Sequence, residues 1–211
     1  MNKNEKFIIT INRELGSGGR TVGRKLAERL GVKFFDKALI KTMEEKYNLT
    51  VEEIEKLKGR KTYWWEDFAK VMRIGEPEIR QYEEKFGNKS EKLTTDNVFR
   101  AETEILKGIA EKESCVVAGR CGFFVFRNHP NHLSILIQAS MSFRLERLMR
   151  KRNMTEDEAR KTIAQVDKMR ENYVKKFTDT SRYDTRNYDL VIKADGKTED
   201  EIVDIIMHVI G

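Results

Sequence analysis

Short apolar runs alternate along this chain with longer stretches in which apolar residues return every three or four positions. The first run, Phe7-Ile8-Ile9-Thr10-Ile11, is rich in β-branched residues and almost unbroken, which predicts a buried strand. After a glycine-rich turn, Val22, Leu26 and Leu30 recur at four-residue spacing with Ala27 beside them. That spacing predicts a helix with one buried stripe, ended by Gly31. Residues 32–35 predict a second strand ending at Asp36, followed by a helix over about 37–47 and another begun by a Thr50/Glu53 capping box. Asp96 is placed to cap a helix with Val98, Ala101, Ile105 and Ile109 turned inward. Residues 115–118 predict a third strand running into Gly119-Arg120, and residues 133–137 a fourth, before a helix carrying Phe143, Leu145 and Leu148. Thr155 with Glu158 caps a long charged helix reaching about Lys176. A fifth strand, Leu190-Val191-Ile192, leads to a last helix capped by Thr198 with Glu201.

Strands alternating with helices imply an α/β fold with a parallel sheet covered on both faces. Right-handed crossovers then put a ligand outside the carboxyl ends of the strands. The glycine-rich turn after strand one, Asp36 after strand two and Gly119-Arg120 after strand three all fall on that edge. Residues from about 56 to 95 break the alternation. Their charges, Gly75, Pro77, Gly87 and the cluster Tyr63-Trp64-Trp65 predict short helices and loops outside the sheet. The aromatic cluster suits either the core of that insert or a platform for a nucleobase.

Length and composition fit one domain with a small insert: 211 residues, 39% hydrophobic and 36% charged. The formal net charge of +6 suits small polyanions such as nucleotides, and its interleaving with acids argues against nucleic acid as the main partner. Cys115 and Cys121 read as buried, reduced thiols, and the three histidines lack metal-ligand spacing with them, so no structural zinc is expected. A polar N-terminus and the lack of any long apolar run predict a cytoplasmic protein that does not enter the membrane.

The turn after strand one carries the chemistry. Glu14-Leu15-Gly16-Ser17-Gly18-Gly19-Arg20-Thr21 aligns with G-x-x-x-x-G-K-[ST], with Glu14 at the first glycine and Arg20 at the lysine. Glycines let successive backbone N–H groups curl around an anion, and the following helix adds its positive N-terminus. Gly16, Ser17, Gly18, Gly19, Arg20, Thr21 and Val22 are therefore the expected phosphate-binding set, with Arg20 as the cation beside the phosphates and the Thr21 hydroxyl on Mg2+. Arg13, just before the loop, is either a surface cation or a ligand for a second phosphate, and Asp36 either caps a helix or orients water on Mg2+.

Residues 7–36, Val117-Ala118-Gly119-Arg120-Cys121-Gly122 and Asp189-Leu190-Val191-Ile192 together resemble the cytidylate kinase-like family, relatives of the nucleoside monophosphate kinases. The resemblance implies a P-loop NTPase-type three-layer sandwich of five parallel strands in the order 2-3-1-4-5. A helical monophosphate-binding insert (about 56–95) and an arginine-bearing lid (about 150–180) would complete it. It implies ATP-dependent phosphoryl transfer to CMP or dCMP, with Mg2+, and with Arg120 as an acceptor-phosphate ligand. Asp36 matches an acid of the family, whereas Ala118 and Cys121 stand where cytidylate kinases have acids. From the lid, Arg152, Lys168 and Arg170 are expected to surround the transferred group, joining Arg20 and Asp36 as catalytic residues. A P-loop kinase for another small acceptor and a non-catalytic nucleotide-binding regulatory module are the competing readings. The pattern fixes neither the acceptor base nor the oligomeric state.

Overall fold

A computed structural model describes residues 1–36 and 95–211. Within these the order is β1 (Ile8–Arg13), α1 (Gly19–Leu30), β2 (Lys33–Phe35), α2 (Thr95–Ala110), β3 (Cys115–Ala118), α3 (Gly122–Val125), β4 (His132–Gln138), α4 (Met141–Arg152), α5 (Glu156–Thr178), a 3-10 turn (Thr185–Asn187), β5 (Leu190–Lys193) and α6 (Glu199–Ile210). The helices expected at 37–47 and after Thr50, the insert up to residue 94 and the Tyr63-Trp64-Trp65 cluster lie outside the described residues. The chain divides into two compact units, Met1–Asp36 with Lys107–Gly211, and Lys37–Leu106. Of the second unit only residues 95–106, the opening turns of α2, are described. Asp96 stands inside α2 rather than before it, because the helix is already formed at Thr95.

The first unit is built on one parallel sheet in the order β2-β3-β1-β4-β5, the order that the resemblance implied. β1 lies in the middle, which explains its unbroken apolar run: Ile8, Ile9 and Ile11 are at most 1% exposed. Phe7, Ile9 and Ile11 face one layer, packing with Val22, Leu26 and Ala27 of α1 and with Ile202, Val203 and Ile206 of α6. Burial of each such side chain contributes about 1.5–3 kcal/mol before entropy is counted. Thr10 and Asn12 point to the other face. There Thr10 approaches Gly122 of α3, and the Asn12 amide donates to the Tyr188 hydroxyl.

Register positions the strand ends. Ile11 stands beside Ala118, and Phe35 beside Val117. Gly119 therefore emerges beside Asn12, and Asp36 beside Ala118 one strand further out, all at the carboxyl ends of the strands.

Helix starts divide into two kinds. Ser140, Thr155 and Thr198 cap α4, α5 and α6 with their side chains, the last two in full capping boxes. Helix α1 has instead Gly18 at its N-cap, in the left-handed region at φ 86, with no side-chain cap and no acid in its first turn. At its other end Gly31, φ 66, donates back to the carbonyls of Ala27 and Glu28. Among the described residues no helix is long and apolar enough to cross a membrane.

Candidate active site at the phosphate loop

Residues 14–18 carry the chain from β1 into α1. The first helical hydrogen bond runs from the Val22 amide to the Gly18 carbonyl at 3.1 Å. The preceding amides of Gly19, Arg20 and Thr21 donate to no backbone or side-chain acceptor among the described residues. Orphan amides at a helix start, with no capping oxygen, are an anion site in waiting. Val22 contributes less than its position in the motif suggests, since its side chain is fully buried in the core and its amide is already bonded. Ser17 is likewise turned back, its hydroxyl donating to the Glu14 carbonyl at 3.0 Å.

The loop floors an open cleft of about 200 Å3 whose lining includes six cations, Arg13, Arg20, Arg147, Lys151, Arg152 and Arg170. Among the described residues the one acid in that lining, Glu14, is spent on the protein: its carboxylate accepts from the Ala139 amide at 2.9 Å and lies 3.4 Å from Arg144. Several of the cations have partners. Arg20 donates to Asp36 at 2.6 Å, with Arg20 56% and Asp36 8% exposed. Arg147 is held at 2.5 Å by Glu199 from the first turn of α6, with Lys151 at 4.0 Å from the same carboxylate. Arg170 donates to the Arg13 carbonyl at 3.1 Å.

The Arg13 guanidinium differs. Its Cβ packs against Gly19, where an added methyl would come within 2.6 Å. Its Nη1 reaches Gly119, where an added methyl would come within 2.3 Å. The side chain therefore bridges from the phosphate loop to the turn after β3. Among the described residues it meets no hydrogen-bond acceptor or carboxylate at ion-pair distance. Burial first, and the Arg170 charge second, push its pKa down to about 9, with Asp36 opposing them. Burial lowers Arg170 as well. Crowded cations with depressed pKa values are what a site built for an anion looks like before the anion is counted.

The turn after β3 is strained. Gly119, Arg120 and Cys121 all have positive φ, at 82, 54 and 53. For the two residues with side chains this costs about 1–3 kcal/mol each, a cost usually met at functional turns. It aims Arg120 at α5, where Nη2 donates to the Tyr173 hydroxyl at 2.7 Å and the guanidinium sits 4.8 Å from the ring centroid. Burial pushes the Cys121 thiol up to about 12, so it is no nucleophile despite the adjacent arginine. Cys115 is pushed to the same value, and both are free thiols.

The expected site residues thus separate into groups. Arg13, Gly16, Gly18, Gly19, Arg20, Thr21, Arg152 and Arg170 line one cleft, with Asp36 at its border through Arg20. Arg120 stands against Tyr173, and Lys168 is exposed on α5 away from the cleft lining. Sequence reasoning passed over Arg147, Arg144, Asp167 and Arg182. Arg144 and Arg147 sit in a basic stretch that reads mostly as a solvated face, no motif marks Asp167 or Arg182, and only the fold shows Arg182 at 0% and Arg144 at 5% exposure.

Residues 8–195 match the cytidylate kinase-like family. The chain belongs to that family. Among solved structures it is similar to an uncharacterized protein from Eubacterium ventriosum ATCC 27560, at 24% identity and a TM-score of 0.67, with 97% of this chain and 98% of that one covered. It also resembles in fold the shikimate kinase of Acinetobacter baumannii in complex with shikimate, at 15% identity and a TM-score of 0.50, covering 99% and 97%. Among curated proteins it is 27% identical over 207 residues to an S-adenosylmethionine-dependent nucleotide dehydratase of Lacinutrix mariniflava. That match covers 96% of this chain but 36% of the relative, so the chain spans about a third of the relative's length. The family and these neighbours establish a P-loop kinase-type fold for the chain.

Proposed function

We propose that the cleft binds the phosphates of ATP and that the protein transfers the terminal phosphoryl group to a nucleoside monophosphate, with CMP and dCMP as the first acceptors to test. The observation that carries this reading is Arg13: a cation that makes no ion pair and no side-chain hydrogen bond among the described residues, lying between the orphan amides of α1 and the turn that holds Arg120. A cation there faces both the phosphate that gives the group and the phosphate that receives it. In the reaction an oxygen of the acceptor phosphate bonds to the γ-phosphorus, the bond to the β–γ bridging oxygen breaks, and ADP leaves. Arg13, Arg20 and Arg170 would stabilise the charge that spreads over the moving group.

The absence of an acid at Ala118 and Cys121 suits this chemistry. A phosphate monoester is already largely dianionic at neutral pH, its second pKa being about 6, and needs no base to make it a nucleophile. Mg2+ would be held by the Thr21 hydroxyl and, through water, by Asp36, and it would supply positive charge to offset that of the donor phosphates. Among the described residues no three His, Cys, Asp or Glu side chains converge. That donor set fits an ion carried chiefly by phosphates and water rather than by a protein cage. The curated relative's name supports a nucleotide as the acceptor.

A second reading, transfer to a hydroxyl of another small molecule, draws on Asp36, an almost buried carboxylate at the strand edge that could serve as base. The deciding experiment incubates the protein with ATP and Mg2+ against all nucleoside monophosphates and a panel of hydroxyl acceptors, following ADP release. Product from a nucleoside monophosphate is expected. Turnover with hydroxyl acceptors alone supports the second reading. If no acceptor is used, melting with ADP separates a binding module from a wrong assignment. A ligand at hundredfold its Kd stabilises by about 2.7 kcal/mol, and no shift at saturating nucleotide removes the phosphate-site reading altogether.

A further inference from the structure

The limb of the loop that leaves β1 is tied down peptide by peptide. The Arg13 carbonyl accepts from Arg170 at 3.1 Å and also from Arg182. The Glu14 amide donates to the Ile137 carbonyl at 3.1 Å. The Leu15 amide donates to Asp167 Oδ1 at 3.2 Å, and the Leu15 carbonyl accepts from Arg144 Nε at 2.7 Å. The following amides, of Gly19, Arg20 and Thr21, have no such ties among the described residues. The loop therefore has one limb fixed by side chains of α4, α5 and the residues after α5, and another that offers amides to a ligand. Glu14 stands where a standard phosphate loop has its first glycine. Here the shape of that limb is set from outside by side chains.

These ties meet at Asp167. Its Oδ1 accepts from Leu15 and lies 3.4 Å from Arg182 and 3.9 Å from Arg170, while Oδ2 pairs with Arg144. Arg182 is fully buried, and among the described residues Asp167 is the carboxylate its guanidinium reaches, while its backbone amide donates to Glu171 at 3.1 Å. Six positions further along the same helix, Tyr173 holds Arg120 at 2.7 Å. Helix α5 thus touches the phosphate loop through Asp167 and the strained turn after β3 through Tyr173.

We infer that Asp167 is a positioning residue that sets the phosphate loop and couples it to α5, so that occupation of the loop by nucleotide phosphates is felt at Arg120. The inference rests on the proposed nucleotide role of the loop. It predicts a sign that simple electrostatics does not. Taking a negative charge away from the neighbourhood of a bound anion should tighten binding by Coulomb's law. Loss of a positioning residue should weaken it.

The test measures Kd by calorimetry for ADP and for inorganic tripolyphosphate, on the wild-type chain and on Asp167→Asn, well below both melting temperatures. Asparagine keeps the size and can still accept from Leu15, but it leaves Arg144 and Arg182 without their shared carboxylate. Binding weakened about tenfold or more for both probes is expected, the loss of roughly one charge-assisted contact. Unchanged or tighter binding overturns the inference, even if Asp167→Asn melts earlier, because a mere structural brace changes stability and not affinity of the folded protein. Should Asp167→Asn fail to fold, hydrogen exchange on the wild-type chain decides. ADP should slow exchange both at Leu15 and in α5 around Asp167, and protection confined to residues 15–22 overturns the coupling. A wild-type chain that binds neither probe overturns the functional proposal itself, and this inference with it.

Discussion

Arg20 and Asp36 act as a pair at 2.6 Å, and their roles are best tested together. Arg20 is half exposed, so Arg20→Met should cost little stability while removing the loop's own cation. Turnover should fall about 100-fold, the scale of one preorganised electrostatic contact. Asp36→Asn keeps size and loses charge, and should lower kcat about tenfold or more and flatten its dependence on Mg2+. Because each side chain holds the other, the double variant should lose less than the two single losses combined. Measuring kcat across a Mg2+ series for the four proteins checks this. Strict additivity would mean that the two act independently.

The turn between β3 and α3 is the element that brings the Arg13 guanidinium over Gly119. Gly119 has φ 82, and a methyl group there would lie 2.3 Å from Arg13 Nη1. Gly119→Ala should cost about 1–2 kcal/mol of stability from the left-handed backbone alone. Its larger effect should be displacement of Arg13, raising KM for the acceptor about tenfold. Gly31→Ala provides the control: φ is 66, and nothing lies within 4 Å of the added methyl. It should show a similar stability loss in urea melts with KM unchanged. If both variants shift KM alike, Arg13 does not depend on that turn. The α1 start makes the same point about elements. Its missing cap is a fault in a structural helix and an asset in one that receives phosphate.

At the scale of the whole molecule, one contribution to the acid sensitivity of stability sits in the sheet's central strands. His132 on β4 shares a 2.8 Å hydrogen bond with Thr10 on β1, and Phe126 packs at its ring edge. Burial pushes its pKa down to about 4 from 6.5, with the nearby Asp189 carboxylate acting in the opposite direction and His129 adding to the lowering. The unfolded chain therefore takes up this proton before the folded one does. The stability tied to neutral His132 is complete above about pH 6.5 and is lost progressively as pH falls toward 4. His132→Gln cannot take up that proton and keeps a polar group near Thr10. Urea melts at several values across that window should show a shallower loss for the variant. Parallel slopes would place the acid sensitivity elsewhere.

Much of this was legible along the chain. Strand β3 begins and ends where its apolar run does, α1 stops at Gly31, and Thr155 and Thr198 open α5 and α6, because burial periodicity, capping oxygens and left-handed glycines act within a few residues of one another. The glycine turn between β1 and α1 was legible for the same reason: strand, glycines, cation and helix are contiguous. What stayed hidden depends on long-range contact. Arg182 reaches Arg13 across 169 positions and Leu15 reaches Asp167 across 152, and no local pattern marks either. Arginines of one charged stretch meet different fates: Arg144 is buried in an ion pair, Arg147 is pinned at the cleft by Glu199, and Arg152 lines that cleft from the end of α4. By helical pattern alone Arg144 and Arg147 look like a solvated face, and only the family resemblance set Arg152 apart from them. Which of them loses its water is decided by what packs against the helix, and the chain brings that surface in from far away.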